Sequence, residues 1–371
     1  MKILIIILLI VLNTIAHNKS KMAALTINIP NKTIEQKEDV RKMANMSSAV
    51  LQNTSEQDVA LHGTTKDFDF IIVSDGHGSG QKKHVLREFI KNLDWDVIFQ
   101  FEGWYKNDID ASGGYVSPLF RSLHSGLDAF SDQYNTHQGC TLSVVLIYKD
   151  RFECFTIGDS TIKIWENAGE SWTKTAETVD HDINFLEDVE KLKQRRIDEA
   201  MFIRISWKKN GKKIPNGILS NNIWRMKPLD STTMTMESSA YFYFDDTSSL
   251  NMTRSLGHYP TRFLRNSAEE KNHQMSLAEQ SLTKIVIPKE EGKKYIVFAA
   301  TDGVWDVTAF DKEVAYIDMI SRGATAERIV ADVKKSWSQE WNYKFQDNPH
   351  TKTKIPDYNH DDIGCSIAII N

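Results

Sequence analysis

Two apolar runs far apart in the chain stop at the same dipeptide. Phe70-Ile-Ile-Val-Ser leads into Asp75-Gly76-His77-Gly78, and Val297-Phe-Ala-Ala-Thr leads into Asp302-Gly303-Val304-Trp305-Asp306. Short apolar runs bounded by a turn signal read as buried strands, so each phrase sets an aspartate at a strand end. Asp-Gly alone is a common turn, since Gly accepts positive φ and Asp bonds to its own backbone. A turn, however, does not require His77-Gly78 after one pair or Trp305-Asp306 after the other. Asp58, before Val-Ala-Leu, and Asp361-Asp362, before the apolar C-terminal run, extend the pattern. Carboxylates gathered from several strand ends repel one another unless a cation compensates them. Hard oxygen ligands of this kind suit Mg²⁺ or Mn²⁺.

The chain has the means to build the core such a site needs. Of its 371 residues 41% are apolar and 10% aromatic, which excludes global disorder. Lys and Arg number 45 against 50 Asp and Glu, for a net charge of −5; that near-balance carries no nucleic-acid footprint, and no nucleic-acid partner is expected. The basic clusters, 191–196 and Lys208-Lys209 with Lys212-Lys213, read as solvated faces, the second as a hairpin or flap beside Asn216-Gly217.

Residues 1–22 form an apolar leader: Met1-Lys2, an unbroken run from Ile3 to Leu12, then small residues up to Ala16. This resembles a secretory signal and is short of the roughly 20 residues a bilayer crossing needs. A cleaved signal, an anchor giving membrane association through residues 3–16, and a start at Met22 all remain open. The three cysteines, Cys140, Cys154 and Cys365, lie in strand-like runs and are expected as buried thiols rather than disulfides. Sequons occur at Asn31, Asn45, Asn53 and Asn251, and a glycan on Asn53 would crowd Asp58. Together these features favour an intracellular location.

Residues 23–52 read as a polar tail without a sustained strand pattern, and 53–371 as one domain, with no Pro/Gly/Ser linker inside it. Helical spacing is expected over 82–101, from Ser117-Pro118 through Phe130, and over 186–201, 308–320 and 325–341. Strands are expected at 68–74, 140–148, 151–157, 161–165, 233–236, 241–244, 295–301 and 364–370. The short links Lys149-Asp150 and Gly158-Asp159-Ser160 suggest antiparallel hairpins. Antiparallel strands with segregated helices indicate an α+β layered fold rather than a doubly wound parallel sheet.

In this order the motifs Ser-Glu-Gln-Asp58, Ser-Asp75-Gly76-His77-Gly78, Gly139-Cys140-Thr141, Gly158-Asp159-Ser160, Thr-Asp302-Gly303-Val-Trp-Asp306 and Asp361-Asp362-Ile363 resemble the metal-dependent protein phosphatases of type 2C. Weaker echoes are Thr178-Val-Asp-His181 and Arg254-Ser-Leu-Gly257. The resemblance covers about residues 50–371. It implies a four-layer α-β-β-α sandwich of two antiparallel sheets, with two Mg²⁺ or Mn²⁺ ions in a cleft at one end. Asp58, Asp75, Asp302 and Asp361 would be carboxylate ligands and Gly76 would offer its carbonyl. Asp159 and Asp306 match the positions of a third, looser cation. It further implies hydrolysis of phosphoserine and phosphothreonine in protein substrates by a metal-activated water. His77 would protonate the departing alkoxide.

Several positions depart from the family pattern. The phosphate-gripping arginine five residues before the first metal aspartate is Asn53, which keeps donor capacity but loses the charge. Asp361-Asp362 stands for Asp-Asn, Gly364 for a hydroxyl residue, Thr161 for the arginine after Gly-Asp-Ser, and His258 for an aspartate. Loss of the arginine favours an alternative, a pseudophosphatase that binds phosphoproteins with little turnover. A structural Ca²⁺ site would call for a dense local ligand loop that the spacing lacks.

Overall fold

The computed structural model describes residues 43–53, 55–78, 85–123, 138–167, 169, 171–182, 184–191, 218–243, 249–257, 281–344 and 351–371. The leader, the 208–213 cluster, His258 and the second halves of the helices expected at 117–130 and 186–201 lie outside these residues. Among the described residues no helix is long and apolar enough to cross a membrane.

Alternation along the strands sets the architecture. Ile71 and Val73 face one way from Asp69–Ser74, and Phe70 and Ile72 the other; all four are buried. In Lys294–Ala300 the same division separates Tyr295, Val297 and Ala299 from Ile296, Phe298 and Ala300. Strands that are apolar on both faces must be covered on both faces. The two runs sit in different five-stranded antiparallel sheets. One sheet runs, in spatial order, Asn45–Leu51, Ile363–Ile370, Lys294–Ala300, Thr161–Asn167 and Trp172–Glu177. The other runs Thr283–Pro288, Arg151–Ile157, Leu142–Ile147, Asp69–Ser74 and Val59–Thr64.

Between the sheets lies one buried cluster, with Ile71, Val145 and Phe152 meeting Ile164, Val297 and Ala368. Outside the second sheet, Phe70, Ile72 and Phe155 pack on Leu86, Ile90, Trp95 and Phe120. Outside the first, Phe298, Cys365 and Ile367 pack on Tyr316, Ile320, Val333 and Trp337. The layers are therefore helix, sheet, sheet, helix, and the fold is α+β. A further sheet joins Ile218–Asp230, Thr233–Tyr243, Glu340–Lys344 and Thr351–Lys354.

Several local expectations are corrected. The polar segment before Asn53 contains a strand, Asn45–Leu51, antiparallel to Ile363–Ile370. Only its Met46 is buried, so an edge strand of this kind shows no apolar alternation; its partner organises it, through backbone pairing and a 2.7 Å contact between Ser48 and Ser366 hydroxyls. The helix expected over 82–101 is two helices, Val85–Asn92 and Trp95–Phe99, because the Asp94 carboxylate accepts from Val97 N and starts the second. The last helix ends at Ser338, and Trp341 belongs to Glu340–Lys344, paired with Thr233–Tyr243.

Gly158-Asp159-Ser160 is not a hairpin. Arg151–Ile157 belongs to one sheet and Thr161–Asn167 to the other, so these three residues carry the chain across the sandwich. Gly158 makes the corner at φ 90°, where a Cβ would lie 2.6 Å from Thr141 Cγ2. The three cysteines are free and buried, and burial pushes the Cys140 thiol up to about 12.

Candidate active site

Asp58, Asp75, Asp302 and Asp361 each adjoin a strand end, and these ends belong to one edge of the sandwich, whereas Asp306 caps the short helix that follows Asp302. Asp75 follows Asp69–Ser74. Its backbone is gripped by Thr141: Asp75 N donates to Thr141 Oγ1 and Thr141 N donates to Asp75 O, both at 2.8 Å. Gly76–His77 then forms a short strand antiparallel to Gly139–Cys140, with Gly76 buried. Asp302 opens the short helix Asp302–Trp305, directly after Lys294–Ala300 and the N-cap Thr301. Thr301 gives no side-chain cap. Its hydroxyl donates to Asp58 Oδ2 at 2.8 Å and accepts from Gly364 N at 3.0 Å. The hydroxyl missing at Gly364 thus reaches Asp58 from the neighbouring strand.

The aspartates sense one another. Burial raises Asp58 well above the usual carboxylate range, and the charges of Asp361, Asp362 and Asp302 add to it against the Thr301 hydrogen bond. Asp75 is raised likewise, by burial first and then by Asp302, Asp58, Asp361 and Asp159. Burial and Asp302 push Asp361 to about 8, opposed by the hydrogen bond from Asp362 N. Such mutual shifts mark a set of carboxylates short of positive charge.

His77 stands at the rim, with Nε2 3.4 Å from Asp75 Oδ2 and its side chain 20% exposed. Asp159 is buried, receives a 3.4 Å hydrogen bond from Asn251 Nδ2, and acts on Asp75. Asp306 acts on Asp361. The two positions matching a third cation thus adjoin different members of the cluster. Asn53 is turned elsewhere: its amide donates to the carbonyls of His360 and Asp357, and its backbone N–H to Asp362 Oδ1.

Three contributors escaped the sequence. Thr141 and Thr301 sit inside quoted motifs, and only the fold turns them onto Asp75 and Asp58. Asp362 is buried and collects donors from the loop before Asp58. A signal for it existed, an acidic residue where the family pattern carries an amide.

As the side chains stand, among the described residues no three carboxylate, imidazole or thiol groups form a ready coordination shell. The chemistry of the set nevertheless fits a hard divalent cation. The donors are carboxylate and carbonyl oxygens, their charges oppose one another, and Asp58 Oδ1 is buried with no hydrogen-bond partner.

The family model for Protein phosphatase 2C matches residues 37–340. No curated protein matches the chain. Among solved structures, a serine-threonine phosphatase 2C of Toxoplasma gondii is 13% identical with a TM-score of 0.49, covering 88% of this chain and 94% of that one. A C. elegans sex-determining protein is 14% identical with a TM-score of 0.47; the match covers 89% of this chain and 66% of that one. A Mycobacterium tuberculosis serine/threonine phosphatase is 13% identical with a TM-score of 0.39, over 88% and 99%. Since the family model spans most of the sequence, the chain belongs to the protein phosphatase 2C family.

Proposed function

We infer that the chain hydrolyses phosphoserine and phosphothreonine in proteins, with divalent cations held by Asp58, Asp75, Asp302, Asp361 and the Gly76 carbonyl. The observation that carries this is the aspartate cluster itself, in which burial and then the neighbouring carboxylates raise the proton affinity of Asp58, Asp75 and Asp361. Mg²⁺ or Mn²⁺ in such a cluster supplies positive charge that acidifies water and neutralises phosphoryl oxygens. Two ions suit four carboxylates, and Asp159 and Asp306 are the positions for a third.

The chain's own groups perform the rest. Thr141 and Thr301 fix Asp75 and Asp58 by backbone and hydroxyl bonds, so the ligands are oriented before substrate arrives. Water adds at phosphorus, the seryl or threonyl P–O bond breaks, the departing oxygen takes a proton from His77, and the proton released by the water returns through solvent to His77. Asp75 Oδ2, beside His77 Nε2, keeps the ring at the cluster's edge. The products are the free hydroxyl and inorganic phosphate. The three cysteines are buried with thiols held protonated and take no part.

The test is phosphatase activity and melting of the full chain in Mn²⁺, in Mg²⁺ and in chelator. Activity is expected only with the cation, together with stabilisation of about 2.7 kcal/mol at roughly 100 times the dissociation constant. Without metal the raised aspartates favour the protonated fold, so stability present at low pH is lost as pH climbs through about 8 for Asp361; cation removes that slope. Full turnover in chelator, with bound metal verified as nil, overturns the assignment. Phosphopeptide binding without turnover would make the chain a binding module instead.

A further inference from the structure

The two departures at Asn53 and Asp362 lie far apart in sequence and meet in space. Asp362 Oδ1 accepts from Asn53 N. Asp362 Oδ2 accepts from Gln57 N at 2.6 Å and from Ser55 Oγ at 2.9 Å. Asp362 is 1% exposed, so this carboxylate is out of water and held by a loop that ends at Asp58. An asparagine could not do the same, since its amide nitrogen would turn a donor toward donors. The Asn53 amide completes the tie by donating to His360 O and Asp357 O. The same loop reaches the first Asp-Gly end, where Gln57 Nε2 donates to Gly78 O at 3.1 Å. Asp362 also touches the second, because a Cβ on Gly303 would collide with the Asp362 carbonyl. Every segment that carries a cluster aspartate is thus tied, directly or through one residue, to Asp362 or Gln57.

We propose that Asp362, Asn53 and Gln57 form a latch that positions Asp58 and Asp361 for cation binding, and that Asn53 belongs to this latch rather than contacting substrate phosphate. The latch rests on the reading of the cluster as a cation site. Asn53 and Asp362 are positioning residues. Together they spend, on rigid ligands, the loop position where a phosphate-gripping arginine would stand. Partners that orient ligands typically set 10- to 100-fold of metal affinity.

The experiment is calorimetric Mn²⁺ titration of the full-length wild type, Asp362→Asn, Asn53→Arg and Ser55→Ala, with amide hydrogen exchange on the same proteins without metal. Asp362→Asn is expected to weaken Mn²⁺ by about 10- to 100-fold and to speed exchange at the Asn53 and Gln57 amides. Ser55→Ala, which removes one exposed hydroxyl and spares folding, should give a smaller loss in the same direction. Asn53→Arg should also weaken Mn²⁺ and leave the Michaelis constant for a phosphopeptide no lower. Unchanged Mn²⁺ affinity in folded Asp362→Asn and Ser55→Ala, with only a lowered melting temperature, overturns the latch while the functional reading stands. An Asn53→Arg protein with intact Mn²⁺ affinity and a roughly tenfold lower Michaelis constant likewise overturns it. A wild type that binds no Mn²⁺ overturns both.

Discussion

The two Asp-Gly ends begin alike and continue differently. After Asp75 the chain stays extended: Gly76–His77 pairs with Gly139–Cys140, and Thr141 holds Asp75 from both sides of its peptide. After Asp302 the chain coils into a short helix, fixed where Trp337 Nε1 donates to Gly303 O at 2.7 Å and where Trp305 Nε1 donates to Ala300 O. The first end carries a histidine within reach of its aspartate. The second carries Lys163, buried between Glu313 and the face of Trp305. The shared dipeptide sets where each aspartate leaves its strand, while the packed partners decide the path of the chain beyond it. In the proposed function the first end would supply the proton, while the second is packed in place by Trp305 and Trp337.

The comparison breaks most sharply at the aspartates themselves. If both ends serve one cation cluster, Asp75→Asn and Asp302→Asn should each lower phosphatase activity by roughly 10³-fold or more, since a lost ligand charge forfeits several kcal/mol. Both variants should stay folded, and neither should show the wild-type rise in melting temperature with Mn²⁺. A large loss from one and none from the other would mean that the ends do separate work.

His77→Ala tests the asymmetry. A serine alkoxide needs a proton to leave and a nitrophenolate does not, so phosphoserine peptides should slow by about 10²-fold or more while an activated aryl phosphate slows little. Equal losses on the two substrates would make His77 structural. At the other end the expected loss is of stability. Gly303→Ala pushes a methyl group into the Asp362 carbonyl, and overpacking of this kind costs about 3 kcal/mol in a urea melt. A neutral result would show that the Asp302 end yields more easily than its packing suggests.

The smallest effect separates the ends by pH. His181 Nε2 lies 2.8 Å from Thr283 Oγ1, and its backbone N–H bonds to Gly158, the corner that packs on Thr141. Burial, with the charge of Arg254, lowers it to about 4, so the fold keeps it neutral. A depressed histidine contributes stability at neutral pH that is lost as pH falls from its unfolded value near 6.5 toward 4. Between pH 8 and pH 5 this amounts to about 2 kcal/mol. It is read as the difference between wild type and His181→Gln with Mn²⁺ present, which keeps the aspartates ionised. Parallel pH curves for the two proteins would mean that His181 contributes nothing to the pH dependence.

Legibility tracked how local the cause of each feature was. The double-faced strands at Asp69–Ser74, Leu142–Ile147 and Lys294–Ala300 could be read from apolar runs, and the aspartates after the first and the last of them from the turn dipeptide. The Asn45–Leu51 strand could not, because its single buried residue shows no alternation and its partner lies at the other terminus. Asp94 ended a helix that spacing alone continued, since a cap is a side-chain hydrogen bond and leaves the apolar period intact. In the candidate site the aspartates and His77 were visible as motifs, whereas the work of Thr141, Thr301 and Asp362 was not. Each of these three acts on a residue 66 or more positions away.

By itself the sequence determined the layered α+β class, the strands buried on both faces and the acidic, oxygen-rich chemistry at their ends. These depend on composition and period within a few neighbours. Only the tertiary structure decided that Gly158-Asp159-Ser160 crosses between sheets and that Asn53 faces the backbone of its neighbouring loop. The same holds for the mutual shifts of Asp58, Asp75 and Asp361. Electrostatic strength depends on distance and on the exclusion of water, and both are fixed when the two sheets close on one another.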